Sequence, residues 1–384
     1  MTETSTVAAG TRTTPPFRAD HVGSLLRPPE LLQARRRYAA GEIDADGLRA
    51  AEDAAIRAVV ALQQECGLRS ITDGEFRRAS WHMDFIYELG GIERDDEHRF
   101  VSHFKNEQGG LEFTPAGSRV TGRLGIERTI FGDAFAFLRD AVGPGGGTPK
   151  LTIPSPSMVH YRGGRAAVDE TVYPDMAAFW SDLAEAYREE VTRLAALGCT
   201  YLQLDDTSLA YLNDPAQRAE LAARGDDAEH QHETYIATIN QALRDKPEGM
   251  TVTTHMCRGN FRSSWVAEGG YEHVAEALFS QLGVDGFFLE YDDERSGTFE
   301  PLRFVPRDKL VVLGIVTSKR GELESKDALK RRIEEASRYV DIDQICISPQ
   351  CGFSSTVDGN ALTVEQEAAK LRLIVETAGE AWGD

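Results

Sequence analysis

The feature that most constrains the fold of this chain is a regular alternation of short apolar runs with longer amphipathic ones. The short runs are nearly continuous in apolar character, which is typical of strands buried on both faces of a parallel sheet. They lie at residues 17–21, 69–73, 150–154, 200–205, 250–255, 286–290, 310–316 and 344–348. The clearest amphipathic helices are predicted at residues 44–66, 175–197, 229–244, 271–282, 326–340 and 364–378.

This alternation predicts an α/β chain folded as a (β/α)8 TIM barrel. The chain has 384 residues, of which 41% are hydrophobic, and that is enough for one such barrel. Residues 86–147 fit the pattern least well: RVTGRLGIERTI predicts an extra β-hairpin and FGDAFAFLRDAV a helix. We expect this segment to be an insertion between strands two and three, with a separate small domain as the alternative. Residues 1–16 are expected to be a disordered tail, which leaves 17–384 as a single catalytic barrel.

Composition excludes several classes of protein. The formal net charge of −20 makes the chain a poor candidate for binding nucleic acid or an anionic membrane surface. No stretch approaches the roughly 20 apolar residues of a membrane span, and the N-terminus lacks the pattern of a signal peptide. Five cysteines, an odd number, argue against a disulfide framework and for a reducing compartment. We therefore expect a cytoplasmic protein; the sequence is compatible with a homo-oligomer and does not decide it.

Four scattered residues are candidates for a metal site. His255 and Cys257 are two apart at the end of the fifth predicted strand, so both side chains point to the same side of an extended backbone. Glu290 ends the sixth strand and Cys351 follows the eighth. One imidazole, two thiolates and one carboxylate form a ligand set that suits zinc. The alternative is structural: buried cysteines acting as small hydrophobes and a histidine satisfied in the core.

Further polar residues fall on the same rim of the predicted barrel. Asp205 ends the fourth strand, Glu75 follows the second and Ser24 follows the first. Active sites of this fold lie at the carboxyl ends of the strands, so these residues are candidates for substrate binding. Because Zn²⁺ deprotonates a bound thiol outright, while a free thiol with a pKa near about 8.5 is mostly protonated at neutral pH, the predicted site points to thiol chemistry.

Six short motifs, taken together, resemble one known family. They are HVGSLLRP (21–28), TDGEFRR (72–78), LQLDD (202–206), THMCRGN (254–260), FFLEYDD (287–293) and SPQCGF (348–353). In combination they resemble the catalytic barrel of the cobalamin-independent methionine synthases, in a short branch with a single barrel. The resemblance implies that zinc is bound by His255, Cys257, Glu290 and Cys351. It also implies that homocysteine is held by Gly23 and Ser24, and that its amino group pairs with Glu75 and Asp205.

The sequence departs from that family where the methyl donor would bind. The longer enzymes stack a folate on a tryptophan in the loop after strand three, and the run here, IPSPSMVHYRGG, has none. They also carry a histidine acid after strand seven, where this chain has Lys319; a lysine suits that role only if a neighbour such as Arg320 lowers its pKa. The donor therefore stays open between methyltetrahydrofolate, a methylated corrinoid protein and a small methyl compound. Trp81 is predicted to form an apolar wall over the substrate, or else the core face of a short helix.

Other functions remain as alternatives. Short-branch relatives include epoxyalkane:coenzyme M transferases, in which zinc activates a sulfonated thiol that opens an epoxide. A sulfonate prefers arginine, and Arg27, Arg258 and Arg162 lie in the rim loops. A corrinoid-linked methyltransferase would share the zinc–thiol half-reaction. A non-catalytic barrel stabilised by zinc is the alternative from a different class.

Overall fold

The computed structural model describes residues 12–95, 102–105, 110–114, 117–357 and 359–383. Most of the expected N-terminal tail, residues 1–11, lies outside these ranges. Arg12 is the first described residue, and its carbonyl oxygen accepts a hydrogen bond from Arg69 Nη1 at 2.7 Å.

The described strands build one large parallel sheet and two small antiparallel ones. In chain order, β1 to β11 are Ser70–Ile71, Gly90–Asp95, Ser102–Phe104, Leu111–Phe113, Gly117–Gly125, Thr148–Pro154, Tyr201–Asp206, Thr251–Met256, Gly286–Glu290, Leu310–Val316 and Ile345–Pro349. The large sheet has the order β1-β6-β7-β8-β9-β10-β11, and all of its pairs are parallel. The small sheets are β2-β5 and β3-β4. This arrangement confirms the predicted barrel class of α/β fold.

Helices follow most strands of the large sheet, as the alternation predicts. Within the described ranges, α1 to α12 are Pro29–Ala39, Ala45–Glu65, Met83–Ile86, Gly132–Val142, Ser157–Tyr161, Met176–Ala196, Ser208–Tyr211, Pro215–Ala223, Gln231–Leu243, Ala275–Gln281, Lys326–Ala336 and Val364–Trp382. The six helices predicted from periodicity correspond to α2, α6, α9, α10, α11 and α12. None of the described helices combines the length and apolar character needed to cross a lipid bilayer.

The expected first strand, residues 17–21, is much less regular than predicted. It makes a single parallel bridge, between Ala19 and Ile347 of β11. The Asp20 N–H donates to the Ile347 carbonyl at 3.0 Å, and this places the segment at the open edge of β11. The segment therefore stands where the eighth strand of a barrel would lie, between β11 and β1.

A buried charge pair joins this first segment to the sheet. Asp20 Oδ1 accepts hydrogen bonds from Lys150 Nζ at 3.3 Å and from Ser70 Oγ at 2.8 Å. Its Oδ2 accepts from the Tyr201 hydroxyl at 2.9 Å. The Asp20 and Lys150 side chains are both 0% exposed. Removing one partner of such a pair typically costs about 3–5 kcal/mol, so we infer that Asp20 is central to stability.

The insertion between β1 and β6 differs from the hairpin that the sequence predicts. β5 does not fold back on the residues that follow it; it pairs antiparallel with β2, about 25 residues earlier in the chain. The Ile130 N–H, which a hairpin would have used, instead donates to the buried carboxylate of Glu190 at 3.0 Å. The predicted helix in this segment is confirmed as α4.

The last helix is tied to the first loop by a buried carboxylate. Glu367, in α12, is fully buried, and its Oε2 accepts the Leu26 N–H at 2.8 Å. Burial raises the pKa of Glu367 to about 8, since this single hydrogen bond only partly offsets the loss of water.

This burial predicts a pH-dependent stability. Because the folded-state pKa of Glu367 lies above the unfolded value of about 4.3, its contribution weakens as pH rises towards 8, by at most about 1.4 kcal/mol per pH unit. A Glu367→Gln variant has no such term. Relative to wild type, its free energy of unfolding in urea should therefore rise between pH 5.5 and pH 7.5. Glu376→Gln, on the exposed side of the same helix, is the control, and an equal trend in both variants would contradict the assignment.

Candidate metal centre and substrate cavity

A cavity of about 430 Å³ opens at the carboxyl ends of the parallel strands. This volume lies in the range of small-molecule sites. Eight residues that the sequence predicts for the site line it: Ser24, Glu75, Trp81, Arg162, Asp205, His255, Cys257 and Cys351. The structure thus brings together, in one cavity, side chains that span more than 300 residues of sequence.

Three of these residues form a compact group of metal-ligand type. The ligand atoms of His255, Cys257 and Cys351 all lie within 4.8 Å of one another, and the three side chains are buried. The two sulfur atoms are 3.2 Å apart, too far for a disulfide bond of about 2.05 Å. Cys257 is held in place because its N–H donates to the Asp206 carbonyl at 2.9 Å, which continues the pairing of β7 with β8.

The group has the chemistry of a metal-ligand set. Neither ring nitrogen of His255 has a hydrogen-bond partner within the described ranges. The thiol of Cys257 lowers the pKa of Cys351 far below its usual range, while Cys351 and burial raise the pKa of Cys257. The hydrogen bond between the two sulfurs accounts for these opposite shifts. A soft divalent ion such as Zn²⁺ would satisfy both sulfurs and the imidazole, so the residues present fit the predicted metal.

Glu290 lies beside this group but is engaged by cations. Its Oε1 is 3.0 Å from Arg295 Nη2 and 3.3 Å from Lys319 Nζ. Its Oε2 accepts the Arg258 N–H at 3.2 Å. Burial alone would raise the pKa of Glu290, but the charges of Lys319, Arg258 and Arg295 lower it to about 2. Glu290 is not among the three clustered ligand residues, and its predicted role as a fourth ligand remains a prediction.

The expectation of a lysine acid with a lowered pKa is wrong. Lys319 Nζ is 2.9 Å from Asp292 Oδ2 as well as close to Glu290. Burial would lower the pKa of Lys319, but these two carboxylates raise it above its usual value, so its proton is held firmly. The end of β9 supplies both carboxylates, which lie about 30 residues from Lys319 in sequence.

Two of the predicted anion-binding arginines are used within the protein. Arg27 donates to the carbonyl oxygens of Ser354 and Glu75, each at 3.0 Å, and so ties two rim loops together. Arg258 is 1% exposed, and its Nη1 donates to the Glu290 carbonyl at 2.8 Å. Neither side chain is among the described residues that line the cavity. Their guanidinium groups position loops, which corrects the expectation that they face the substrate.

Two buried carboxylates, those of Glu75 and Asp205, line the cavity wall. Glu75 Oε1 accepts from Thr152 Oγ1 at 2.8 Å, while its buried Oε2 has no partner in the described chain. Asp205 Oδ1 accepts from Gln203 Nε2 at 2.7 Å. Burial and then the charge of Glu75 raise the pKa of Asp205 to about 7. Arg78 lies 3.6 Å from Glu75 but directs its hydrogen bonds to Thr152, so the two carboxylates are not fully neutralised.

Ser24 is seated against the loop that carries Cys351 by a close backbone approach. Its carbonyl accepts the Phe353 N–H at 2.9 Å. A Cβ on Gly352 would lie 1.9 Å from Ser24 Oγ, so this position requires glycine. Gly23, which precedes Ser24, has φ +146°, and a Cβ there would lie 2.7 Å from the Thr152 side chain. Gly23 and Gly352 thus allow the first segment of the chain to approach the cluster of His255, Cys257 and Cys351.

Several residues of the cavity were not predicted from the sequence, among them Asn260 and Tyr211. Asn260 Nδ2 donates to the Gly352 carbonyl at 2.9 Å and so joins the loop after Cys257 to the loop after Cys351. Its position three residues after Cys257 was a signal of proximity. Tyr211 also lines the cavity, and a Cβ on Gly259 would lie 2.4 Å from its hydroxyl. Nothing in the spacing of Tyr211 marks it.

Comparison with known proteins assigns the chain to a family. The model described as "Cobalamin-independent synthase, Catalytic domain" matches residues 163–380, more than half of the chain. The uncharacterised protein YxjG of Bacillus subtilis is 47% identical over 376 residues, which cover 97% of this chain and 96% of that protein. The structure of a putative vitamin-B12 independent methionine synthase from Listeria monocytogenes is 38% identical with a TM-score of 0.77, covering 97% of this chain and 100% of that one. The chain belongs to the cobalamin-independent synthase family.

More distant relatives carry printed activities. The methionine synthase of Pyrococcus abyssi is 23% identical over 334 residues, covering 86% of this chain and 85% of that protein. The 5-methyltetrahydropteroyltriglutamate–homocysteine methyltransferase of Bacillus cytotoxicus is 22% identical; the match covers 94% of this chain but only 42% of that longer protein. Membership makes this chain an enzyme of the methyltransferase class.

From the cluster of His255, Cys257 and Cys351 we predict a loss of bound zinc when either sulfur is replaced. Cys257→Ser and Cys351→Ser should each reduce bound zinc from about one ion per chain to a small fraction, because a hydroxyl does not ionise to replace a thiolate ligand. Mass spectrometry of the metal content of protein purified from zinc-supplemented cells measures this. Cys199→Ser, a buried thiol outside the cavity, should keep its zinc. Full zinc content in both cavity variants would exclude the site.

From the close contact between Gly352 and Ser24 we predict that one added methyl group strains the folded protein. Gly352→Ala should lower the free energy of unfolding by about 1–3 kcal/mol, since Ser24 or its loop must move. Adding Ser24→Ala should recover part of that loss by removing the clashing hydroxyl. Gly125→Ala, whose new methyl group would meet nothing within 4 Å, is the matched control in the same denaturation series. A Gly352→Ala protein as stable as wild type would show that the contact is not tight.

Proposed function

We propose that this protein transfers a methyl group from a methyltetrahydrofolate-type donor to homocysteine, with Zn²⁺ held by His255, Cys257 and Cys351. The observation that carries the proposal is that one cavity contains both a group of soft metal ligands and a pair of buried carboxylates. The family, and the names of its members from Pyrococcus abyssi and Listeria monocytogenes, support it. We also propose that residues 17–384 act as one catalytic domain.

The metal group and the carboxylates suit the two ends of an amino-acid thiol. Bound zinc would keep the substrate thiol ionised at neutral pH. The two cysteines and the histidine would leave one coordination position for the substrate, as in catalytic zinc sites with three protein ligands. Glu75 and Asp205 would pair with the ammonium group through charge-assisted hydrogen bonds. The same carboxylates would repel a sulfonate at that position.

Glu290 acts, in this proposal, through its surroundings and not as a required ligand. Its carboxylate would have to leave Lys319 and Arg295 to reach the metal. The cluster of cations beside it offsets the negative charge that two cysteine thiolates and a substrate thiolate would bring to a buried site. Lys319 is therefore a positioning residue that holds the Glu290 carboxylate. We do not assign it the role of proton donor to the departing folate.

The cavity has aromatic residues on its wall, which suit a flat methyl donor. They are Trp81, Tyr87, Phe104 and Phe261. The Phe104 and Phe261 rings lie 5.3 Å apart and come from the insertion and from the loop after β8. An extended aromatic ring system can pack against such a wall. Trp81 thus offers the stacking surface that the loop after β6 lacks.

Glu75→Gln tests the proposal. The zinc-loaded wild type should convert homocysteine and methyltetrahydrofolate to methionine, detected by mass spectrometry. The variant should keep its zinc and raise KM for homocysteine by about 10-fold or more, because a neutral amide pairs poorly with ammonium. For 4-mercaptobutyrate, which is homocysteine without its amino group, wild type and variant should differ little.

Two outcomes would count against this function. The first is a zinc-free Cys257→Ser protein with full activity. The second is a zinc-loaded wild type that methylates no thiol with methyltetrahydrofolate while a corrinoid or small methyl donor supports turnover, which would move the donor to another class.

A further inference from the structure

Two buried hydrogen-bond donors on the cavity wall have no role in the function proposed above. They are His82 Nε2 and Arg162 Nη1. Each atom is inaccessible to solvent and has no hydrogen-bond partner in the described part of the chain. Leaving such a group unsatisfied is costly, so two on one wall call for an explanation.

The two side chains come from neighbouring parts of the barrel. His82 directly precedes α3, in the segment after β1, and Arg162 directly follows α5, in the segment after β6. β1 and β6 pair with each other, with Ser70 opposite Thr148. Segments that leave adjacent parallel strands at their carboxyl ends lie side by side. Consistent with this, burial and then the charge of Arg162 hold the pKa of His82 well below its usual value.

Local contacts orient the His82 ring as a donor towards the cavity. The Met83 N–H donates to Ser80 Oγ at 3.3 Å, and that hydroxyl lies 3.2 Å from His82 Nδ1. We assign the hydroxyl as the donor to Nδ1, and with this assignment the ring proton lies on Nε2. The Trp81 ring, with its centroid 4.4 Å from that of His82, packs against the imidazole.

Arg162 is a partly buried cation without a carboxylate partner in the described chain. The groups that act on its charge are the phenols of Tyr161 and Tyr211, which are neutral at pH 7. A guanidinium stays protonated even when burial lowers its pKa. Asp84, which also lines the cavity, is engaged elsewhere, since its carboxylate accepts the N–H groups of Ala79 and Ser80. Arg162 thus presents a positive charge that no described carboxylate pairs with, although the chain as a whole is acidic.

We propose that His82 and Arg162 form an anion subsite that binds a carboxylate of the substrate. Arg162 supplies the charge, and His82 Nε2 supplies a second hydrogen bond to the same group. The inference deepens the proposed function and rests on it for the identity of the substrate. The carboxylate belongs either to the amino-acid thiol or to the glutamyl part of a folate donor. The chemistry is shared, and the experiment separates the two sources.

Matched ligand pairs measure the subsite directly. The thiol pair is homocysteine and 3-aminopropane-1-thiol, which lacks only the carboxylate. The donor pair is methyltetrahydrofolate and a methyltetrahydropteroate amide, in which a neutral amide replaces the glutamyl group. A third pair is 2-mercaptoethanesulfonate and 2-mercaptoethanol. Dissociation constants are measured by calorimetry on zinc-loaded protein, with zinc content and thermal midpoint recorded for every variant.

Arg162→Met should weaken the anion-bearing member of one pair by about 10- to 100-fold and leave its partner, which lacks the carboxylate or sulfonate, unchanged, as loss of a charge-assisted hydrogen bond predicts. His82→Phe should weaken the same compound by about 5- to 10-fold, since its hydrogen bond carries no full charge. His82→Gln should restore most of that loss, because its amide can donate from a similar position. Arg244→Met removes the same charge from a side chain that is 62% exposed and should bind every compound as wild type does.

Each outcome has one meaning. The pair that responds identifies the source of the carboxylate, and a response confined to the sulfonate pair keeps the subsite but shows that the proposed function has the wrong thiol. Equal weakening of both members of every pair, or no weakening in Arg162→Met, overturns the subsite even if methyl transfer to homocysteine is observed. A wild type that binds no acid more tightly than the partner that lacks the carboxylate or sulfonate overturns it as well.

Discussion

The closure of the barrel depends on one buried carboxylate, that of Asp20, where the first segment of the chain meets β11 and β1. The first segment of the chain reaches β11 through a single backbone bridge, so side chains must complete its attachment. Asp20 provides this by binding Lys150, Ser70 and Tyr201 from three strands of the sheet. The ammonium of Lys150 also lies 4.1 Å from the centre of the Phe288 ring. Ser24, four residues after Asp20, is thereby delivered to the rim.

The clustering of His255, Cys257 and Cys351 requires the loop after β11 to bend inward. Cys257 follows β8 and Cys351 follows β11, so two strands separate them in the sheet. Gly314 in β10 lets the Cys351 loop approach, because a Cβ there would lie 2.6 Å from Gln350 Cα. The Gln350 N–H donates to the Val316 carbonyl at 2.8 Å and fixes the bend. The site is therefore set by backbone contacts before any metal binds.

Sequence reasoning located the strands and the cavity residues because both follow simple periodic rules. Buried parallel strands are continuous apolar runs, and functional groups of this fold stand where those runs end. It did not foresee that β5 would pair with β2, because hairpin signals are local and this pairing is not. It also misjudged Lys319 and Arg27, whose partners lie far away in the sequence. That Arg162 Nη1 has no hydrogen-bond partner among the described residues could be seen only once its neighbours were placed.

The wide separation of the site residues in the sequence has a consequence for the newly made chain. Cys257 and Cys351 are 94 residues apart, and Ser24 belongs to the same loop cluster as Cys351. At about 5–20 residues per second, the ribosome finishes Cys351 roughly 5–20 s after Cys257. During that interval His255 and Cys257 are made, but their third partner is not. In the proposed function, the zinc site is therefore completed only late in synthesis, once Cys351 has been made.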